Sequence, residues 1–247
     1  MTVYNGSRFL DAAIKSVKDQ THSSWRLYIV DDGSSDDSLE IIKRWAAKEP
    51  RILFSHQEHS GRGAALKTAE RLLPQDNVGW VGWIDADDML HPNCLAECVE
   101  IARANKGAAV YTDCEHVNVQ GDPIALDLRS TVPYDSFALL TNFMTFHFRM
   151  IPLAAYRAVD GINENMLASE DFDLCLRLSE QIPFIRVAKV LYSYRQHRGS
   201  ISATSRILQL DQAEAAIKRA LKRRGIDKTY TVVRNMEGKF ALRRMGV

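Results

Sequence analysis

The chain has 247 residues, 46% of them hydrophobic, which is enough for one substantial core. Its formal charge is +1, from 32 basic and 31 acidic side chains, so the composition gives no reason to expect nucleic acid as a partner. No stretch approaches the roughly 18 consecutive apolar residues of a membrane span, and the N-terminus lacks a signal-peptide core. We therefore expect a soluble chain, or at most a peripheral one.

The first part of the chain alternates between helix and strand patterns. Apolar residues spaced for one helix face predict a helix over residues 7–20, and "WRLYIV" predicts a strand over residues 25–30. Capping residues in "SSDDSLEIIKRWAAKE" then predict a second helix over residues 34–49.

The same alternation continues to about Asp113. The predicted elements are a strand at 51–56, a helix at 61–73, a strand at 78–84, a helix at 92–105 and a strand at 108–113. Such βαβ units indicate an α/β fold with a mostly parallel sheet, which binds its ligands at the carboxyl ends of the strands.

The pattern changes after Glu115. Short strand-like pieces and loops fill residues 115–149, and a helix pattern returns in "SEDFDLCLRLSEQ". Strands at "FIRV" and "VLYSYR" follow, and residues 206–224 form a basic amphipathic helix.

Charge and cysteines add two expectations about the chain's surroundings. Residues 206–247 hold 11 Lys/Arg against 4 Asp/Glu, so this tail could rest on anionic lipid or on a partner, or be a solvated helix face. The four cysteines lack the paired CxxC spacing of a zinc site, and we expect reduced, packed thiols in a cytoplasmic protein.

Acidic residues follow two of the predicted strands. Asp31 and Asp32 end the first strand, and three carboxylates follow the apolar strand in "WIDADDMLHP": Asp85, Asp87 and Asp88. Turn chemistry or helix capping explains one or two such residues, but not readily three. Carboxylates one residue apart can also bind Mg²⁺ or Mn²⁺ from one side, with substrate oxygens on the other.

Five motifs in order resemble family 2 glycosyltransferases with the GT-A fold. They are "MTVYNGSRFLDAAIKSVKDQT", "IVDDGSSDDS", "WIDADD", "SEDFDLCLRL" and "YRQHRGSIS". The resemblance implies a GT-A domain over residues 1–205, with a small acceptor-side elaboration, and a basic helical extension over residues 206–247.

The resemblance also implies roles for individual residues. It places Asp171 as the general base that deprotonates the acceptor hydroxyl. It places Asp87, Asp88 and His197 around a divalent cation, Mn²⁺ or Mg²⁺. The residues implied to bind the nucleoside and ribose of the donor are Thr2, Tyr4, Asp32 and Asp85.

Several of these positions have simpler explanations. Glu170 and Asp171 are acids in a first helical turn, which the helix dipole favours in any protein. Arg195, close to His197, suits phosphate oxygens and is a candidate donor-binding residue. Relatives often carry an arginine in the helix at 61–73, and here Lys67 or Arg62 would supply positive charge to the donor instead.

The N-terminus departs from the family pattern. The family normally has a short apolar strand immediately before the segment that corresponds to "MTVYN". Without that strand, neighbouring buried backbone groups would lack partners, each at a cost of about 1–3 kcal/mol. Thr2 and Tyr4 are the assignments that this departure affects most.

The expected function is metal-dependent, inverting transfer of a sugar from a nucleoside diphosphate sugar, most simply a UDP-sugar. The expected acceptor is a hydroxyl of a saccharide or lipid-linked saccharide, in surface or extracellular polysaccharide synthesis in the cytoplasm or at the inner face of the membrane. One alternative is a nucleotide-sugar-binding protein without turnover. Nucleotidyl transfer is a third reading, but the glycine-rich N-terminal fingerprint expected for it is absent.

Overall fold

The computed structural model describes residues 1–73, 79–200 and 205–246. Val78, in the predicted strand at 78–84, and Ile201 and Ser202, at the end of "YRQHRGSIS", lie outside these residues. The strands are β1 (Thr2–Val3), β2 (Leu27–Asp31), β3 (Ile52–His56), β4 (Trp80–Gly82), β5 (Met89–Leu90), β6 (Ala109–Val117), β7 (Pro123–Leu126), β8 (Arg149–Pro152), β9 (Phe184–Arg195), β10 (Tyr230–Arg234) and β11 (Phe240–Arg244). The helices are α1 (Ser7–Lys18), α2 (Ser38–Lys48), α3 (Arg62–Arg71), α4 (Cys94–Ala104), α5 (Leu153–Ala158), α6 (Glu170–Leu178) and α7 (Arg206–Arg223), with a 3₁₀ turn at Ala138–Leu140.

The first sheet is parallel and has the order β1-β2-β3. Helix α1 connects β1 to β2 and buries Leu10, Ala13, Ile14 and Val17, whose spacing of three and four residues forms one helix face. Fully burying a side chain such as Ile14 contributes about 1.5–3 kcal/mol, which is why this face, and not intrinsic propensity, fixes the helix.

The second sheet is mixed and has the order β4-β8-β6-β9-β5. Strands β6 and β9 are parallel, whereas β8 runs antiparallel between β4 and β6, and β7 forms a hairpin with β6. The antiparallel partners β7 and β8 both come from residues 115–152, where the regular alternation of the sequence ends. They add antiparallel strands to the sheet in the segment after the predicted βαβ units.

The C-terminal tail packs against the rest of the chain. Helix α7 contacts α6 and buries a stripe of small and aliphatic residues, namely Ala213, Ala216, Ile217, Ala220 and Leu221. The sequence predicts only a helix here, and the structure adds the hairpin β10–β11. Arg219 and Arg223 pair with Asp173 and Glu180 of the body, at 2.9 and 2.8 Å. Among the described helices, none is both long and apolar enough to cross a bilayer.

Candidate active site

Asp32 lies at the carboxyl end of β2 and is 2% exposed. Its carboxylate accepts hydrogen bonds from the Gln57 amide at 2.7 Å and from the backbone N–H groups of Ser60 and Gly61 at 3.0 and 2.9 Å. The His59 ring also lies 2.9 Å from it. The carboxylate thereby fixes the loop between β3 and α3 at the end of β2.

An exposed aromatic ring lies beside this carboxylate. The Tyr4 side chain is 51% exposed and stacks on His59, with ring centroids 3.9 Å apart. Gly33 has φ +74°, and a Cβ there would lie 2.7 Å from the backbone nitrogen of His59, so the turn after Asp32 requires glycine. Thr2 is in β1 and pairs with Val30 of β2. The structure therefore brings the predicted nucleoside-binding residues to one edge of the first sheet.

Asp88 anchors the turn between β4 and β5. Its carboxylate is 1% exposed and accepts hydrogen bonds from Tyr192 Oη at 2.6 Å and from the backbone N–H of Arg195 at 2.8 Å. Burial, together with the charges of Asp87 and Asp85, raises the pKa of Asp88 well above its usual range. Both oxygens already have protein donors, so Asp88 ties this turn to β9.

Asp87 faces His197, as the resemblance implies. Asp87 Oδ2 lies 2.8 Å from His197 Nε2, and the imidazole ring is tilted against Phe9. Burial and the neighbouring charge of Asp85 raise the pKa of Asp87, and the hydrogen bond from His197 opposes this only in part. An excess of negative charge that the protein does not neutralise favours a bound cation.

A second group of side chains could also hold a metal ion. Ligand atoms of Asp85, Asp88 and His147 all lie within 4.8 Å of one another. His147 stacks on Tyr192, and burial followed by the charge of Arg149 lowers its pKa to about 3, which keeps the imidazole neutral. Carboxylate oxygens with one imidazole suit Mn²⁺ better than Mg²⁺, which prefers oxygen ligands alone.

Arg62, the first residue of α3, connects three parts of the site. Its guanidinium lies 3.0 Å from Asp85 Oδ1 and 2.7 Å from Glu170 Oε1. Burial alone would raise the pKa of Asp85, but Arg62 lowers it overall, whereas the pKa of Glu170 is raised by burial in spite of Arg62. Because the preceding residue, Gly61, donates to Asp32, residues 61–62 join the two acidic strand ends.

Asp171 lies in the first turn of α6. Its Oδ1 accepts the backbone N–H of Phe172 at 2.8 Å, and its Oδ2 lies 3.0 Å from the guanidinium of Arg149. Asp171 and Asp85 line the same small hollow, of about 10 Å³, together with Arg62, Trp83, His147 and Arg149. The predicted base therefore borders one space with Asp85, whereas Asp32, Asp87 and Asp88 do not line it.

Two predicted donor-binding residues have their charged groups bonded within the protein. Lys67 Nζ binds Glu70 and the backbone oxygen of Asp160, both at 2.9 Å, on the far side of α3. The guanidinium of Arg195 is 3% exposed and donates to the backbone oxygens of Asp87, Asn118 and Val119. Arg195 supports the acidic turn from beneath, with its guanidinium bonded to protein oxygens.

Sequence reasoning missed three residues of this site: His59, His147 and Arg149. Each lies in a loop or at the start of a strand, with no motif of its own, and is brought in by long-range packing. The only signal was position, because His147 and Arg149 lie in "FMTFHFRMI", at the end of the irregular segment at residues 115–149.

A larger cavity, of about 790 Å³, lies away from these acids. It is bordered by Met1, by Leu27 and Tyr28 at the start of β2, and by β4, and none of the predicted site residues lines it. Its size therefore does not identify the active site.

Comparisons with known proteins identify the family of the chain. The sequence model of glycosyl transferase family 2 matches residues 1–172. The chain is 30% identical to chondroitin synthase of Escherichia coli over 94% of its own length and 34% of that protein. It is 28% identical to hyaluronan synthase of Pasteurella multocida over 90% of its length and 23% of that protein. The chain thus spans about a third or less of the length of these curated relatives.

Solved structures share the fold at lower sequence identity. S. aureus TarS 1-349 in complex with UDP-GlcNAc matches with a TM-score of 0.67 and 16% identity, over 90% of this chain and 70% of that one. The mannosyltransferase PcManGT from Pyrobaculum calidifontis, in complex with GDP-Man and Mn²⁺, matches with a TM-score of 0.64 and 17% identity, over 90% and 62%. The predicted α/β fold of GT-A type is confirmed, and the chain belongs to glycosyl transferase family 2.

Proposed function

We propose that this chain transfers a sugar from a nucleoside diphosphate sugar, most simply a UDP-sugar, to a hydroxyl acceptor with inversion at the anomeric carbon. The observation that supports this most is the hollow shared by Asp85, at a strand end, and Asp171, at a helix start. A sugar bound beside these two residues would have the leaving diphosphate on one side and a metal-free carboxylate on the other. Solved relatives in complex with UDP-GlcNAc and with GDP-Man and Mn²⁺ support the same reading.

The nucleoside would bind at the edge of the first sheet. Tyr4 offers an exposed ring face for stacking on the base, and Thr2 lies beside it. A carboxylate has about four lone-pair sites, and three donors from residues 57–61 already occupy sites on Asp32, with the His59 ring beside them. We expect a base N–H to replace the half-buried Gln57 amide on Asp32.

The diphosphate would lie near Asp87 and His197. These two residues would hold the divalent cation, with Asp85, Asp88 and His147 as the neighbouring ligand group. When bound, the cation supplies positive charge where the leaving diphosphate becomes negative. Arg62 contributes a second, fixed positive charge between the acids.

Asp171 would act as the general base. Burial alone would raise its pKa, but the charges of Arg149 and Arg62 lower it overall, so Asp171 is ionised at neutral pH. The acceptor oxygen forms a bond to the anomeric carbon as the bond to the diphosphate oxygen breaks, and the electron pair leaves with the diphosphate. The hydroxyl proton moves to Asp171. Attack from the face opposite the leaving group inverts the configuration.

The acceptor and the location are inferred from the relatives and the cysteines. Relatives named as chondroitin and hyaluronan synthases favour a saccharide or lipid-linked saccharide acceptor and a role in polysaccharide synthesis. The four buried, free cysteines suit a reducing cytoplasm. Contact with an anionic membrane would rest on exposed basic residues of the tail, such as Lys222, Lys228 and Arg243, because Arg219 and Arg223 already pair with body acids.

A panel of nucleotide sugars tests the proposal. We expect the protein with Mn²⁺ to release nucleoside diphosphate from one donor slowly, and faster when a matching oligosaccharide is added, with EDTA abolishing both. Asp37→Asn, which changes an exposed acid near Asp32, is the control and should leave the rate unchanged. Donor binding without any release would favour a binding protein, and neither binding nor release by folded protein would contradict the proposal.

A further inference from the structure

Arg149 is an arginine that the sequence motifs leave without a role. It is 4% exposed and begins β8, whose backbone pairs with β6 at Tyr111. One arm of its guanidinium donates to the backbone oxygen of Thr145 at 3.0 Å, and the other to Asp171 Oδ2 at 3.0 Å. The guanidinium carbon also lies 5.4 Å from the Phe143 ring centroid. Contacts other than the one with Asp171 therefore also fix the position of Arg149.

Asp171 is held at both oxygens. Oδ2 binds Arg149, and Oδ1 accepts the backbone N–H of Phe172 at 2.8 Å. Each carboxylate oxygen has two lone pairs, so each has one left for another donor. With its side chain lining the hollow beside Asp85, Asp171 can direct a remaining lone pair toward a hydroxyl bound there.

The other charges near Asp171 do not replace Arg149. Arg62 of α3 is bound to Asp85 and Glu170, and so is shared between two other acids. The groups that face Asp171 are Arg149 and His147 from β8 and the loop before it, Arg62 from α3, Asp85 from the end of β4, and Glu170 and Cys175 from α6. Of these, only Arg149 donates a hydrogen bond to the Asp171 carboxylate among the described residues.

We propose that Arg149 is a positioning residue for sugar transfer: it holds the Asp171 carboxylate in one orientation, ionised, with a free lone pair directed at the acceptor hydroxyl. This inference rests on the proposed function. As the acceptor oxygen bonds to the anomeric carbon, its proton becomes strongly acidic, so a carboxylate kept weakly basic by Arg149 can still accept it. The same positive charge then favours loss of that proton from Asp171 to solvent before the next turnover.

Arg149→Met tests the role, with Arg186→Met as the matched control. Arg186 also pairs with a buried carboxylate, Asp113, through two contacts of 2.7 Å, but it does not line the hollow. For Arg149→Met we expect kcat to fall by about 100-fold, within the range of general-base catalysis, while the affinity for UDP with Mn²⁺ changes by less than about 3-fold. Arg149→Lys keeps the charge but loses the planar fork, and should restore about 10-fold of that loss.

The pH profile separates positioning from a general loss of folding. Activity falls at low pH as the base becomes protonated, and loss of Arg149 should raise the pKa of Asp171. The acid limb of kcat/KM should therefore move to higher pH in Arg149→Met. It should move equally in the double variant Arg149→Met with His147→Gln, which removes the nearby imidazole and so tests whether His147 causes the shift.

Three outcomes would overturn this inference. They are an unmoved acid limb in Arg149→Met, a kcat no lower than that of Arg186→Met, and a limb that moves only when His147 is present. If Arg149→Met fails to bind UDP, Arg149→Lys decides: wild-type kcat in that variant overturns the proposal, and a roughly 10-fold lower kcat with intact UDP binding supports it. A wild-type protein that turns over no donor would instead contradict the proposed function itself.

Discussion

The carboxyl ends of β2 and β4 both carry aspartates, but the protein treats their charges differently. At the end of β2, the Asp32 carboxylate accepts three hydrogen bonds from the loop at residues 57–61, and the His59 ring lies 2.9 Å from it. At the end of β4, Asp87 has one imidazole partner, and Asp88 is buried beside other acids. Hydrogen-bond donors satisfy the first carboxylate, whereas the acids of the second group repel one another, which helps to raise the pKa of Asp87 and Asp88.

This difference indicates that aspartates at strand ends form two kinds of site in this protein. A carboxylate that is fully hydrogen-bonded has a structural role, because it orders a loop. When a nucleotide base binds, it exchanges one of these hydrogen bonds for another. A crowded group of carboxylates attracts a cation, since a divalent ion relieves the repulsion. The presence of aspartates at a strand end does not distinguish a structural carboxylate from a cation site. Their hydrogen-bond partners do.

The largest effect is expected at Asp171, which belongs to neither strand end. Asp171→Asn keeps the size of the side chain and removes its basicity, so turnover should fall by about 10²–10⁴-fold. Binding of UDP with Mn²⁺ should remain within about 3-fold of wild type, because the donor lies on the other side of the hollow. Steady-state kinetics with calorimetry would check this. Turnover close to wild type would rule Asp171 out as the base.

Asp87→Asn tests whether the acids after β4 bind a cation. Losing this carboxylate should weaken Mn²⁺ binding by at least about 10–100-fold. A loss of that size is typical when a residue that only hydrogen-bonds to a metal ligand is mutated. Wild type should show a rise in melting temperature with Mn²⁺ that the variant lacks. The control Asp37→Asn should keep that rise, and an equal rise in all three proteins would place the cation elsewhere.

In the absence of metal, Asp→Asn substitutions at the two strand ends should change the free energy of unfolding differently. Asp32→Asn places an amide NH₂ against N–H donors and should lower the free energy of unfolding by about 1–3 kcal/mol. Asp88→Asn keeps an acceptor for Arg195 N–H, lets the amide donate to Tyr192 Oη and removes a carboxyl group whose ionised form is disfavoured by burial, so the change in the free energy of unfolding should be below about 1 kcal/mol or stabilising. Urea unfolding measures both, and the reverse order would contradict the distinction.

The smallest effect is expected at Lys67. Because it is bound to Glu70 and the Asp160 backbone, Lys67→Met should change the KM for the donor by less than about 2-fold. Arg62→Met, one and a half turns earlier on the same helix, should raise that KM more, since Arg62 bridges the acids. A larger effect at Lys67 than at Arg62 would restore the original assignment.

The sequence predicted what depends on local pattern and could not predict what depends on distant packing. Hydrophobic periodicity predicts the alternating elements, and the acids at their ends are visible in the sequence. The group around Asp85, Asp87 and Asp171 could therefore be predicted. The pairing of Arg149 with Asp171 joins residues 22 positions apart on different elements, and no periodicity encodes it. A helix turns about 100° per residue, so Lys67 lies on another face of α3 from Arg62, and the motif alone does not show which of the two faces the acids.

Titration of UDP into the protein with Mn²⁺ and with EDTA tests the central claim most directly, namely that acids at two strand ends hold a nucleoside diphosphate together with a divalent cation. We predict tight binding with Mn²⁺, at least about 10-fold weaker binding with EDTA, and the same weakening in Asp87→Asn with Mn²⁺ present. Equal UDP affinity with and without the cation, unchanged in Asp87→Asn, would contradict it.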